Sequence, residues 1–159
     1  MDSGKKHYTW QDIQKITKEL RNDLDWALGE HEIPKDETLC LLGLLRGGYH
    51  PTRLLRVHYP ISPILYYGIS FYNGQTKQNS ARTYLDETLE EIETNHKIRN
   101  ILLIDDICDT GETLAFMRAR LDKPVVTATL IRKTCSTFVP DATGQLVDPD
   151  EWVVFPWEL

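Results

Sequence analysis

Asp105-Asp106 and, three residues on, Asp109-Thr110-Gly111-Glu112-Thr113 are the residues whose types and spacing could do chemistry. Gly111 lets the backbone turn tightly and come close to a ligand. Where a helix then begins, its first amides point outward with a partial positive charge and seat an anion such as phosphate. The amides of Thr110, Gly111, Glu112 and Thr113 are the candidates, with the two threonine hydroxyls as further donors. Carboxylates beside such a seat would repel a bare anion. They make sense for a sugar phosphate: the amides hold the phosphate while Asp105 and Asp106 accept from ribose hydroxyls or share a Mg²⁺, with Asp106 the candidate metal ligand. Taken singly, Thr110 and Asp109 are helix caps and the acid pair only solvates a strand end. That reading explains any one of these residues, but not all of them in this order.

Groups of this kind must be carried by a scaffold, and the flanking sequence supplies one. Ile101-Leu102-Leu103-Ile104 is too continuously apolar for a half-exposed strand and predicts a central parallel strand buried on both faces, stopping at the acids. In an open α/β sheet the carboxyl end of such a strand is where ligands bind. Thr38 to Leu45 predicts a second buried strand, ending at Arg46-Gly47-Gly48, with Pro51 in the first turn of a short helix through Val57. Upstream, Thr9 to Asp12 resembles a capping box with Asp in place of Glu. It opens a helix to about Leu28, whose stripe of Trp10, Ile13, Ile16, Leu20 and Leu24 predicts a core face. Pro63 to Tyr72 and Pro124 to Ile131 read as strands, and Leu85 to Thr94 as a solvated helix. Asn73 to Ser80 is polar, glycine-containing and without period, which predicts a mobile loop. The last strand leads into Arg132-Lys133-Thr134, and the tail from Asp150 to Glu158 is unusually aromatic for a terminus. Core packing alone would explain that tail.

The run from Ile101 to Thr113 resembles the signature of the type I phosphoribosyltransferases: four apolar residues, two acids, an apolar residue, any residue, then Asp-Thr-Gly-x-Thr. Its first half is also similar to the opening of a response-regulator receiver domain. In a receiver, however, that strand comes first, and no Asp-Thr-Gly-Glu-Thr follows. The phosphoribosyltransferase resemblance implies a single α/β domain over residues 1–159, a mainly parallel sheet flanked by helices, with a mobile hood loop and a C-terminal base-binding segment. It implies that Leu45-Arg46-Gly47 is a loop for the diphosphate leaving group, with a cis peptide at Leu45–Arg46, and that residues 73–80 close over the substrate, with Lys77 as a phosphate contact. Asp109 becomes a candidate general base. The end of the chain is similar to the 6-oxopurine members of the family, the bacterial xanthine-guanine enzymes among them. On that likeness Lys133 donates to the purine's exocyclic oxygen, Trp152 stacks on the base and the Val153 carbonyl reads it. The implied reaction is transfer of ribose 5-phosphate from phosphoribosyl pyrophosphate to guanine, xanthine or hypoxanthine, with Mg²⁺, in a homo-oligomer, dimer or tetramer. A phosphoribosyltransferase for another base stays open, as does a regulator that senses the donor without catalysis.

Composition bounds these readings. A chain of 159 residues with 41% hydrophobic residues can bury a core of its own, and a net charge of −6 lacks the basic balance of a nucleic-acid partner. Cys40, Cys108 and Cys135 have neither paired nor metal-ligand spacing, which suits a reducing cytoplasm. Cys108 reads as filler rather than nucleophile. Met1 to His7 is too polar for a signal peptide, and no apolar run reaches membrane-spanning length.

Overall fold

The computed structural model describes residues 4–73 and 76–159; side chains at 72–79 lie outside it. After a short strand β1 (Lys5–His7), helix α1 (Trp10–Glu30) begins at a reciprocal cap. The Asp12 amide donates to Thr9 Oγ1 (3.2 Å) and the Thr9 amide to Asp12 Oδ2 (2.8 Å), so Asp performs the capping-box role. Strand β2 (Leu39–Leu45) leads through a tight turn into α2 (Tyr49–Leu55), which ends in a turn of 3₁₀ helix, Arg56–His58. Then follow β3 (Ile64–Asn73), β4 (Thr76–Tyr84), α3 (Asp86–Thr94), β5 (Asn100–Cys108), α4 (Glu112–Arg120), β6 (Val125–Lys133), β7 (Ala142–Val147) and β8 (Trp152–Val154).

The main sheet has six strands in the order β4-β3-β2-β5-β6-β7. All neighbours are parallel except β3 and β4. Successive side chains of the central strands enter opposite cores. Leu39, Leu41, Leu102 and Ile104 pack with Ile13, Ile16, Leu20 and Leu24 of α1 on one face. Cys40, Leu42, Ile101 and Leu103 pack with Leu89, Ile92, Leu114 and Met117 of α3 and α4 on the other. The chain leaves β2 toward β3 and leaves β5 toward β6, so the strand order switches direction between β2 and β5. Their carboxyl ends flank the crevice where open α/β sheets bind ligands.

Three expectations change. Strand β5 does not stop at Asp105 but continues to Cys108, because β6 pairs alongside it as far as Arg132. Trp10 is 49% exposed and belongs to no core, since it lies a turn ahead of the buried stripe. The segment read as a loop over 73–80 is, from Thr76, an edge strand paired antiparallel with β3, and an edge strand needs neither apolar alternation nor a second neighbour. The tip at 74–75 and the Lys77 side chain lie outside the described residues. In addition, β7 and the parallel pair β1–β8 are elements that no pattern in the sequence announces.

Candidate active site

At the switch point lies a cleft of about 1010 Å³, lined by the ends of β2, β3 and β5, by Thr113 at the start of α4, and by Trp157 and Glu158 of the tail. The turn that closes β2 contains a cis peptide between Leu45 and Arg46. It is held by the Gly48 amide donating to the Leu44 carbonyl (2.6 Å) and by Thr52 Oγ1 donating to the Gly48 carbonyl (2.7 Å). Arg46 and Gly47 line the same cleft as the acids. A Cβ on Gly47 would come within 2.5 Å of Asp106 Oδ1, so only glycine lets turn and carboxylate approach this closely.

Asp105 and Asp106 are half-buried, and backbone amides hold their carboxylates: the Asp106 amide donates to Asp105 Oδ1 (2.9 Å) and the Ile107 amide to Asp106 Oδ1 (2.7 Å). Burial raises the Asp105 carboxyl well above the usual range, and the Asp106 charge adds to it. Burial also pushes Asp106 up to about 6, with the Glu158 charge acting the same way against the Ile107 amide. A carboxylate pair made costly to ionise is what a hard divalent cation relieves, and oxygen donors suit Mg²⁺. Among the described residues no three His, Cys, Asp or Glu side chains converge as a complete ligand set. The pair therefore fits an ion that keeps water and ligand oxygens, as Mg²⁺ does on phosphate compounds.

On the far side of β5, Gly111 starts α4 at φ +91°, a conformation glycine takes readily. A side chain there would also strike Phe138, whose Cβ would lie 2.4 Å away. The return loop between β6 and β7 braces this seat. The amide and hydroxyl of Thr137 both donate to the Thr110 carbonyl at 3.2 Å. Asp109, Thr110 and Glu112 are exposed around the seat, and Thr113 faces the cleft. Asp109 Oδ2 lies 3.3 Å from Lys133 Nζ, so the end of β6 and the loop before α4 meet through an ion pair. Cys108 is buried beside Ser136 Oγ (3.2 Å), and burial raises its thiol, which fits filler rather than a nucleophile.

The tail is placed by β1. Residues 5–7 pair with 152–154, the Tyr8 amide donates to the Val154 carbonyl (2.9 Å), and Tyr8 Oη donates to Glu151 Oε1 (2.8 Å). Val153 packs against the α1-side core, whereas Trp152 is 64% exposed and outside the cleft lining. The tail residues that do reach the cleft are Trp157 and Glu158. Sequence reasoning passed over Glu158, for which the only signal was an acid at the end of an aromatic run.

Residues 7–159 match the profile of the phosphoribosyl transferase domain. The xanthine-guanine phosphoribosyltransferase of Idiomarina loihiensis is 23% identical over 151 residues, spanning 95% of this chain and 85% of the relative. Among solved structures, the xanthine-guanine-hypoxanthine phosphoribosyltransferase of Helicobacter pylori superposes with a TM-score of 0.74 at 24% identity, covering 98% of this chain and 94% of that one. A purine phosphoribosyltransferase from Pyrococcus horikoshii gives 0.70 at 24% identity, covering 98% and 95%. These likenesses are of fold.

Proposed function

The chain belongs to the phosphoribosyl transferase family, and on that premise we propose that it transfers the 5-phosphoribosyl group of phosphoribosyl pyrophosphate to a ring nitrogen of a 6-oxopurine. The observation that carries this reading is the cleft between the ends of β2 and β5, where Asp105, Asp106, the Arg46–Gly47 turn and Thr113 share one surface. The start of α4 would seat the 5-phosphate through the amides of Thr110 to Thr113, and the Arg46–Gly47 turn would hold the diphosphate. Asp105 and Asp106 would accept from the ribose hydroxyls. Mg²⁺, held by Asp106 and by donor oxygens, would supply neutralisation of the leaving diphosphate. The bond from the anomeric carbon to the diphosphate oxygen breaks as the bond from purine nitrogen to that carbon forms, and pyrophosphate departs with the bonding pair. The purine's ring proton would pass to Asp109. The protein's share is positioning and charge stabilisation.

Guanine, xanthine or hypoxanthine as acceptor is supported by Lys133, which offers only donors and suits an exocyclic oxygen rather than adenine's amino group. The names of the similar proteins point the same way. Free cysteines at 40, 108 and 135 suit a reducing compartment, which supports the cytoplasm. The reading extends to a homo-oligomer, testable by sedimentation velocity. For the reaction itself, the protein is incubated with Mg²⁺ and phosphoribosyl pyrophosphate, each base is added in turn, and pyrophosphate release is followed. Release with 6-oxopurines alone is the expected result. Donor binding without release for any base would favour a donor-sensing regulator.

A further inference from the structure

A row of aromatic rings joins the turn after β2 to the C-terminal segment. Tyr66 lies against Tyr49 (5.4 Å between centroids), and Tyr49 meets His50 edge-on (5.3 Å, 90°). His50 stacks on Trp157 (4.8 Å, 18°), Trp157 stacks on Phe155 (4.6 Å, 7°), and Phe155 leans on Tyr8 (6.4 Å). Trp10 closes over both His50 (6.2 Å) and Trp157 (5.8 Å). His50 and Trp157 line the cleft, and Glu158 follows directly, its Oε2 accepting from the Phe155 amide at 2.6 Å. Residues from α1, from the start of α2 and from the tail thus meet at one imidazole.

We propose that His50 is a positioning residue that fixes the tail, 152–158, against the diphosphate-side turn by stacking on Trp157, and so sets the base-binding end of the cleft. The proposal rests on the function read above. The turn itself does not depend on the ring, because Gly48, Leu44 and Thr52 hold it through the backbone and the Thr52 hydroxyl. Removing the imidazole should therefore loosen the tail and leave the donor seat in place. Stacked pairs contribute modestly beyond their buried area, so the change should be moderate.

The test compares His50→Ala with His50→Phe, which keeps a flat ring and removes the nitrogens. Three quantities are read: KM for guanine at saturating donor, equilibrium binding of phosphoribosyl pyrophosphate with Mg²⁺, and amide hydrogen exchange over 151–159 in the free protein. His50→Ala should raise KM for guanine roughly three- to tenfold, speed exchange across the tail and leave donor affinity within about twofold. His50→Phe should return KM and exchange toward wild type. Unchanged tail exchange in His50→Ala would overturn the proposal. So would loss of donor affinity in both variants, which would make His50 a donor contact instead. If wild-type protein transfers to no base, the functional reading fails by itself, and the exchange comparison still decides whether His50 holds the tail.

Discussion

On the proposed donor side of the cleft, Asp105, Asp106 and the Arg46–Gly47 turn are carried by β2 and β5, neighbouring strands at the middle of the sheet with both faces packed. The tail, residues 152–158, is carried by a three-residue strand outside that sheet, by its pairing with β1 and by stacked rings. The first region is fixed by strands that cannot move without opening the core. The second is fixed by a few local contacts between two chain ends. Under the proposed reaction, a site that holds one substrate rigidly and chooses among others would gain from such a division, because the choosing end could vary without disturbing the fold.

The comparison is broken most severely at the acids. Replacing Asp105 and Asp106 together by Asn should lower turnover by roughly 10² or more, the scale of losing preorganised charge at a reacting centre. The melting temperature should hold or rise, since burial already disfavours both charges. Pyrophosphate release and a thermal melt on the same preparation check this. Full activity in the double variant would detach the acids from the chemistry.

Next in size come changes on the acceptor side, where the loss should depend on the base. Lys133→Ala should cost guanine, xanthine and hypoxanthine roughly 10- to 100-fold in kcat/KM, from an unmatched polar group costing about 1–3 kcal/mol, and should narrow the gap to adenine. Trp152→Ala should weaken every purine alike, because stacking on a base does not depend on its exocyclic groups. Parallel kcat/KM series for four bases separate the two patterns.

The smallest effect is on stability against pH. Asp106, pushed up from 3.8 to about 6 by burial, favours the folded state when protonated. That stabilisation is complete below the ordinary aspartate value and is lost as pH rises through about 6. Between pH 4 and 7 the free protein should lose on the order of 1–3 kcal/mol from this carboxyl. Replacing both acids by Asn should flatten that part of the curve, as denaturant melts across the range would register.

The donor side could be read from sequence because scaffold and chemistry run together there: a buried strand, its terminal acids and the glycine-bearing helix start are contiguous from Ile101 to Thr113. Even so, the strand runs past the acids to Cys108, since the pairing that carries it there belongs to β6, not to its own residues. The acceptor side could not be read this way. Lys5–His7 are three exposed residues without apolar pattern, and their partner strand lies at the other end of the chain. Ala142–Val147 carries glycine and glutamine within a short strand, which weakens any period. Thr137 and Glu158 act through contacts across the fold, one on the loop before α4 and one beside Asp106, and neither position carries a local motif.

The central claim is that the cleft at the ends of β2 and β5 joins a phosphoribosyl group to a 6-oxopurine. Its most direct test is to mix the protein with Mg²⁺, phosphoribosyl pyrophosphate and an equimolar mixture of guanine, hypoxanthine, xanthine and adenine, and to identify the nucleotides by mass. The account predicts 5′-monophosphates of the 6-oxopurines, one per pyrophosphate released, with little adenine nucleotide and almost none of any kind from Asp106→Asn. Adenine nucleotide as the main product, or equal yields from Asp106→Asn and wild type, would contradict it.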